Sequence, residues 1–591
     1  MPRDDAPRAF LDVGQSLTGR SWVGPGAEVD RLSEAISQRT GLRGPVAQVL
    51  ARAGIAPEDA EGYLSPSIRD LLPDPMSLRD MGKAADRLIA AMDSGQRIAI
   101  FGDYDVDGAC SSALLLTWLR DMGHAATLYI PDRIDEGYGP NDAAMASLAR
   151  DHDLIVTVDC GTLSHGPIAA AKGADVIVLD HHLGAETLPD AVAVVNPNRQ
   201  DEDGSLSHLC AAAVVFLVLV EVARRLRASG TRGPDLMSAL DLVALATVAD
   251  VAPLVGVNRA LVRRGLDVMR ARTRPGLTAL CDVARLDVPP SAYHLGYVLG
   301  PRINAGGRVG RADLGARLLS TTDPAEAQSI AERLDQFNTE RREVEAQVRD
   351  AALIQAEDRG SDGPLVWAAG QGWHPGVVGI VASRLKEATG LPAVVIGLKE
   401  DGTGQGSGRS VGGVDLGASV HRLAAEGLLL KGGGHRMAAG LTVRADRLEA
   451  AMERLGALLA RQGAGGGGPR DLALDGVLMP GAATRALAQA IEAAGPFGQG
   501  ASAPRFAFPD LRVAHARTVG DGHLKLALTD GGPTRLDAIA FGAGASGLAD
   551  AVARAAGAPL HVAGRVEINR FQGRETVQLR VDDVAQPVRE P

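Results

Sequence analysis

Aromatic side chains are scarce in this chain: 3% of 591 residues, with four Trp, six Tyr and nine Phe. Extended base-stacking platforms must therefore be sparse. Cysteine is scarcer still, at four residues (Cys110, Cys160, Cys210 and Cys281). No pair has metal-finger spacing, and so few in this length cannot form a disulfide framework, so a reducing, cytoplasmic setting is expected. Positive charge is not in excess, because Lys plus Arg is 61 against 72 for Asp plus Glu, a net −11. A whole-chain polycation is excluded, but local phosphate-binding patches are not. The first residues, MPRDDAPRAF, lack an apolar signal core. The longest apolar run, Cys210 to Val220, ends at Glu221. It is about half a bilayer span, so a buried helix is expected and no membrane association.

What the chain does contain is 46% hydrophobic and 23% charged residues, an ordinary globular composition. Its length suggests three or four domains. Residues 1–75 alternate short helical patterns with Gly and Pro breaks and read as an N-terminal helical layer. Across 76–322, the runs RIAIF, ATLYI, LIVTV, DVIVL and AVAVV alternate with helical patterns. That implies an α/β unit with a mostly parallel, covered sheet, whose strand ends gather the function. Residues 323–360, polar and rich in both charge signs, read as a connecting helix. A second α/β region spans 361–462. Residues 463–591 start with the linker GAGGGG and continue into five short alternating strands, the pattern of an oligonucleotide-binding (OB) type β-barrel.

The most informative segment is GDYDVDG, where Asp103, Asp105 and Asp107 alternate directly after a strand. Three like charges so close repel unless a cation neutralises them, and hard oxygen ligands suit Mg²⁺ or Mn²⁺. LIVTVDCG places Asp159 at another strand end, and DVIVLDHH places Asp180, His181 and His182 at a third. Asp250 closes an apolar helix, ALATVAD. In a parallel sheet the strand ends lie on one edge, so five Asp and two His converge there. Imidazole among carboxylates favours Mn²⁺ over Ca²⁺.

Taken together, and in this order, these residues resemble the DHH phosphoesterase superfamily. Further segments are similar to its single-strand-specific exonuclease branch: PDRIDEGYGPN (131–141), LGPRINAGGRVG (299–310), GWHPGVVGIVASRL (372–385), GSGRSVGG (406–413), KGGGHRMAAG (431–440) and PFGQGASAPRF (496–506). The resemblance implies a parallel-sheet DHH metal domain, a smaller DHH-associated α/β domain reached by a long helix, and an OB-type barrel. It implies that Asp103, Asp105 and Asp159 hold one divalent cation, Mn²⁺ or Mg²⁺, and that Asp107, Asp159, His181 and Asp250 hold a second. Asp180 would orient a histidine and His182 would contact the scissile phosphate, with Asp159 and Arg308 counted among the catalytic groups. One departure stands out: Ala501 and Ser502 occupy positions where relatives usually carry Asn-Pro.

The substrate side is basic and Gly-rich. Residues 299–318 carry Arg302, Arg308, Arg311 and Arg317 against Asp313. Residues 402–444 carry five cations against Asp415 and Glu426. GTGQGSGRS and GGGH are expected to bring backbone N–H groups close to a phosphate, with Arg409, Gly433, Gly434 and His435 as contacts. Asn304 and Arg308 are expected to line the metal cleft, and Arg302 is expected to join them in binding substrate. The barrel has Phe506, Phe508, Phe541 and Phe571 but neither Tyr nor Trp, so its grip on a strand is expected to be mainly electrostatic.

The residues themselves point to a phosphodiester substrate and two metals, and the resemblance implies a 5′→3′ exonuclease for single-stranded DNA that releases 5′-mononucleotides in recombination and repair. The resemblance implies a nucleoid-associated monomer in the cytoplasm, with a helicase and a single-strand-binding protein as partners. Hydrolysis of pyrophosphate, cyclic dinucleotides or short oligoribonucleotides would leave the second half of the chain without a task. A haloacid-dehalogenase-type aspartyl nucleophile would leave Asp159 and the Asp-His-His triplet unexplained. A catalytically dead scaffold would have lost metal ligands, and none of the matching positions is missing here.

Overall fold

The computed structural model describes residues 9–588, except 133–135, 138, 361–362, 466–469, 521, 545, 556 and 572. Residues 466–468 of the expected linker, part of the 131–141 segment and the side chain of Phe571 therefore lie outside the described residues. The chain opens with a short strand, β1 (Arg20–Val23), and the helices Ala27–Thr40 and Gly44–Arg52. The metal-domain sheet follows: β2 (Ile98–Gly102), β3 (Ala126–Tyr129), β4 (Leu154–Val158), β5 (Asp175–Leu179) and β6 (Ala193–Val195). Its order is β3-β2-β4-β5-β6 and every pairing is parallel.

Alternation along the strands fills both faces. Ile98, Ile100, Val156 and Leu179 pack in the core with the helices Val106–Asp121 and Ala211–Ala228. Ala99, Phe101, Ile155 and Val178 face Met145, Leu148 and Ile168. The apolar run at Cys210–Val220 forms the buried helix Ala211–Ala228. Among the described residues, no helix is long and apolar enough to cross a membrane. The four cysteines are buried and free.

The connecting helix runs from Pro324 to Arg359, started by the Asp323 carboxylate on the Ala325 N–H and ended at Gly360. At 1.5 Å per residue it is about 54 Å long. Ala327, Ile330, Ala331 and Leu334 belong to the metal-domain core, whereas Val348, Ala352 and Ala356 belong to the core of the second α/β unit. One rod is thus embedded at both ends, which fixes the spacing of the two units. The second unit is a mixed sheet of β7 (Val366–Gln371), β8 (Ala393–Leu398), β9 (Thr403–Arg409), β10 (Lys431–His435) and β11 (Ala438–Arg444), in the order β10-β11-β9-β8-β7.

After β12 (Arg470–Ala473) and the helix Arg485–Ala493, five strands close into a barrel: β13 (Phe506–Val519), β14 (His523–Thr529), β15 (Arg535–Ala540), β16 (Leu560–Phe571) and β17 (Arg574–Ala585), arranged β13-β14-β15-β17-β16. Phe506 and Phe508 are core, while Phe541 is half exposed with the Arg580 guanidinium 5.4 Å from its ring centroid. The turn carrying Ala501 and Ser502 is held from three sides. Gly498 and Ala501 exchange backbone hydrogen bonds, Leu254 N–H donates to the Gln499 carbonyl, and Arg52 donates to that of Ser502.

The N-terminal layer is not a body of its own. β1 pairs in parallel with β12, and Ile36, Val49 and Leu50 share one apolar cluster with Ile491, Phe506, Phe508 and Leu526. The fully buried Trp22 donates from Nε1 to Asp583 Oδ2 at 2.8 Å, and Thr18 Oγ1 donates to Asp583 Oδ1 at 2.6 Å. Arg52 Nη1 lies 2.6 Å from both Asp475 oxygens. Arg259 ties this assembly to the metal domain by donating to the carbonyls of Tyr63, Ala494, Gly495 and Pro496. Local sequence patterns cannot report such a pairing of distant segments. Asp583→Ala leaves the Trp22 N–H buried without an acceptor, at a cost of about 1–3 kcal/mol. We expect the variant to unfold at a lower urea concentration and to be cleaved faster by protease within residues 9–40.

Candidate metal centre and substrate face

Three strand ends and one helix end build the centre. β2 stops at Gly102 and delivers Asp103, whose Oδ1 accepts from the Tyr104 N–H at 2.8 Å. Asp105 caps the next helix, accepting from the N–H groups of Asp107 (2.9 Å) and Gly108 (3.1 Å). A Cβ on Gly108 would fall 2.4 Å from the Asp103 carbonyl oxygen, so only glycine lets the helix start this close to the strand. Asp107 is buried, accepting from the N–H groups of Ala211 (2.6 Å) and Ala212 (2.8 Å). It therefore sits between two helix N-termini, its own and that of Ala211–Ala228, both of which favour negative charge.

Asp159 follows β4 with φ 61°, a left-handed conformation that turns the chain directly at the strand end. Asp250 closes the helix Leu240–Ala249. His181 Nε2 lies among these carboxylates, 3.2 Å from Asp159, 3.7 Å from Asp107 and 3.7 Å from Asp250. Ligand atoms of Asp103, Asp105 and Asp159 fall within 4.8 Å of one another, as do those of Asp107, His181 and Asp250, and those of Asp159, His181 and His182. All six residues expected as metal ligands are thus brought together.

The electrostatics divide the cluster. Burial, followed by the charges of Asp107, Asp105, Asp103 and Asp250, pushes the Asp159 carboxyl well above the carboxylate range. Burial and the Asp105 charge also raise Asp107, although His181 and the two alanine amides oppose them. Asp250 is pushed up to about 8 by burial and by Asp107 and Asp105. Asp159 Oδ1 is buried and makes no hydrogen bond. A buried orphan oxygen among crowded carboxylates and one imidazole is a donor set that fits divalent cations.

Asp180 behaves differently. Burial works against its charge, yet the hydrogen bond from His182 Nδ1 at 2.8 Å, that charge, and the Thr162 N–H hold it below the usual range. Against its own burial, His182 is drawn up to about 9 by Asp180. The pair is an internally satisfied ion pair. Asn196 fixes it by donating to Thr162 Oγ1 and to the His182 carbonyl, each at 2.8 Å, and Asn198 donates to the His181 carbonyl at 2.6 Å. Thr162, Asn196 and Asn198 were missed by sequence reasoning. Asn196 could have been found by the rule that found the others, since it directly follows β6.

On the substrate side, Asn304 Oδ1 accepts from the Val106 N–H at 3.2 Å and so steadies the first metal loop. Arg308 Nη1 donates to the Gly376 carbonyl at 2.8 Å, crossing from the metal domain to the second unit. Arg302 is committed to Asp335 of the connecting helix at 2.8 Å and to the Val298 carbonyl at 2.7 Å.

The glycine-rich stretch GTGQGSGRS is not a phosphate loop but strand β9, flanked by β8 and β11 with its backbone groups in the sheet. Gly404, Gly406 and Gly408 face the core, where a Cβ would fall within 2.7–2.8 Å of Ile396 or Leu416. Gln405, Ser407 and Arg409 take the opposite face. Arg409 Nη1 donates to Ser407 Oγ and the Gly408 carbonyl, both at 2.9 Å, and pairs with no carboxylate among the described residues. The second stretch is β10, an edge strand, where a backbone approach by a ligand remains open. Gly433 and Gly434 lie on it. A Cβ on Gly434 would meet the Ala438 carbonyl oxygen at 2.4 Å. His435 is exposed, and its Nδ1 accepts from the Met437 N–H at 3.3 Å.

Comparison with known proteins agrees with this division of the chain. Residues 97–247 match the DHH family, N-terminal domain; 362–461 match the DHHA1 domain; and 474–583 match the RecJ OB domain. The single-stranded-DNA-specific exonuclease RecJ of Dickeya dadantii (strain 3937) is 38% identical over 88% of this chain and 92% of its own length. RecJ of Thermus thermophilus, crystallised with Mn²⁺, superposes with a TM-score of 0.79 at 29% identity, over 96% of this chain and 79% of that one. The same protein with Mg²⁺ gives 0.73 at 27% identity over the same shares of the two chains. By sequence and by fold, the chain belongs to the RecJ family of single-stranded-DNA-specific exonucleases.

Proposed function

We propose that this protein is a metal-dependent exonuclease that hydrolyses single-stranded DNA from the 5′ end to 5′-mononucleotides. The observation that carries this reading is the crowding of Asp103, Asp105 and Asp159 beside Asp107, His181 and Asp250, an acidic cluster whose full ionisation calls for cations. Asp103, Asp105 and Asp159 would hold one divalent ion; Asp107, Asp159, His181 and Asp250 would hold another. Mn²⁺ or Mg²⁺ is supported by the ions carried by the Thermus thermophilus relative. Bound there, such ions supply a lowered pKa for water and neutralisation of the attacking and leaving oxygens.

The chain's own residues would do the rest. Asp180 keeps His182 Nδ1 protonated and oriented, so that the imidazolium presents Nε2 to the scissile phosphate. Arg308 would stand at the mouth of the cleft, with Asn304 holding the Asp103–Asp107 loop in register. Arg409, unpaired with any carboxylate among the described residues, suits a terminal phosphate, with Gly433, Gly434 and His435 along the neighbouring edge. Arg302 would act on the strand indirectly, by fixing its helix against Asp335. The 5′→3′ direction and the choice of DNA rest on the family likeness. An enzyme of this kind consumes separated strands, which suits a monomer working in recombination and repair beside a helicase and a single-strand-binding protein.

End-labelled strands test the reading. A 5′ label on single-stranded DNA should be released first in Mn²⁺ or Mg²⁺, and Asp159→Ala should slow hydrolysis by roughly 10³-fold or more, the scale on which loss of a central catalytic group is measured. Normal cleavage by that variant in saturating Mn²⁺ would overturn the shared-ligand assignment. The metal-free protein offers a second test. Because the Asp159 carboxyl is buried among groups that oppose its ionisation, Asp159→Ala should raise the metal-free melting temperature while abolishing the rise that Mn²⁺ gives the wild type.

A further inference from the structure

Trp373 occupies the turn between β7 and the helix Pro375–Thr389. Two glycines make room for it. Gly370 of β7 and Gly397 of β8 are cross-strand partners. A Cβ on Gly370 would fall 2.2 Å from the indole ring, and one on Gly397 would fall 2.2 Å from the Trp373 carbonyl oxygen. No other residue fits either position without displacing the tryptophan, so Gly370 seats one flank of the indole against the sheet while Gly397 seats its backbone. The residue is only partly buried. Its surroundings form a cavity of about 690 Å³ whose walls include Gln371, His374, Lys399, Asp401 and Gln405. That volume lies in the range of small-ligand sites, roughly 300–1,000 Å³.

The cavity lies in line with the expected phosphate seat. Gln405 on β9 is the partner of Gly397, so it shares a sheet face with Ser407 and Arg409, two and four residues further along. Four residues of strand span about 13 Å. The helix that follows Trp373 borders the same face, since a Cβ on Gly379 would lie 3.0 Å from Ser407 Oγ and 3.1 Å from Arg409 Nη2. Its first turn also meets the metal domain, through Arg308 and the Gly376 carbonyl. Indole, amide, hydroxyl and guanidinium therefore lie in a row beside the bridge to the metal domain.

We propose that Trp373 is a base-stacking residue: one nucleobase of the bound single strand lies on the open flank of the indole, with its polar edge toward Gln405. This rests on the exonuclease reading above. Every base has a π-face, and the glutamine amide offers both a donor and an acceptor. The site would thus hold a strand without selecting its sequence, as a hydrolase that works through any strand requires.

The test uses the full chain with Mn²⁺ and 5′-phosphorylated single strands carrying one abasic position, scanned through the first several nucleotides. In the wild type, one position should raise KM by about 10-fold when its base is removed, within the range of base–aromatic stacking. In Trp373→Ala that position should lose its special penalty, KM on the intact strand should rise by a similar factor, and Trp373→Phe should restore much of the difference. Gln405→Ala, at an exposed position of β9, should alter the ranking of the four bases at that position alone. An abasic penalty unchanged in Trp373→Ala would overturn the proposal. So would inhibition by free 5′-mononucleotide that Trp373→Ala relieves without changing the abasic scan, which would make the cavity a product site. Failure of the wild type to cleave any strand would instead sink the exonuclease reading.

Discussion

Burying carboxylates together is costly, because the interior screens their repulsion poorly. Asp103, Asp107 and Asp159 are buried at one site, with the partly buried Asp105 and Asp250 beside them. Without cations the cluster resists ionisation, and the buried Oδ1 of Asp159 accepts no hydrogen bond that would ease its charge. The surrounding architecture holds this unfavourable arrangement in place. Two helix N-termini face Asp107, Asp105 caps its own helix, a left-handed turn fixes Asp159, and a helix C-terminus carries Asp250. Beside it, Asp180 and His182 neutralise each other, so this neighbouring acid can remain an anion without a metal. The same burial thus yields opposite outcomes: the hydrogen bond and charge of His182 hold Asp180 down, whereas two amide donors do not keep Asp107 from being raised.

Placement of the second unit matters as much as the centre. The helix Pro324–Arg359 is rooted in two cores, and Arg308 bridges the units near the candidate cleft. The face of β9 that carries Arg409 is therefore set at a distance the chain does not easily change. Gly404, Gly406 and Gly408 have a complementary role, letting the opposite face of β9 pack closely on Ile396 and Leu416.

Much of this was legible in the sequence, for identifiable reasons. Short β-branched runs each ending in an acid announce a parallel sheet with a polar edge, and five alternating strands announce a barrel. Asp103, Asp159 and Asp180 could be placed because a strand end fixes where a side chain points. The first glycine-rich stretch misled, because glycine marks close approach without saying whether the approaching atom belongs to a ligand or to the core; the alternation G-x-G-x-G-x in GTGQGSGR was the overlooked sign of a strand. Trp373 escaped notice because its seat is made by residues from two strands, Gly370 and Gly397, separated by a helix. Nothing local could link Trp22 to Asp583, since a pairing across more than five hundred residues leaves no periodic trace.

That last pairing bears on the order in which the protein is made. Trp22, Ile36 and Leu50 leave the ribosome long before the partners that bury them, Asp583, Phe506 and Phe508. At about 5–20 residues per second, the wait lasts roughly 25–100 s. For the later part of it, an apolar segment trails from a metal domain that has already been synthesised. The first helices are therefore the natural point for a chaperone to hold, and translation must pass the final barrel strand before they can reach their partners.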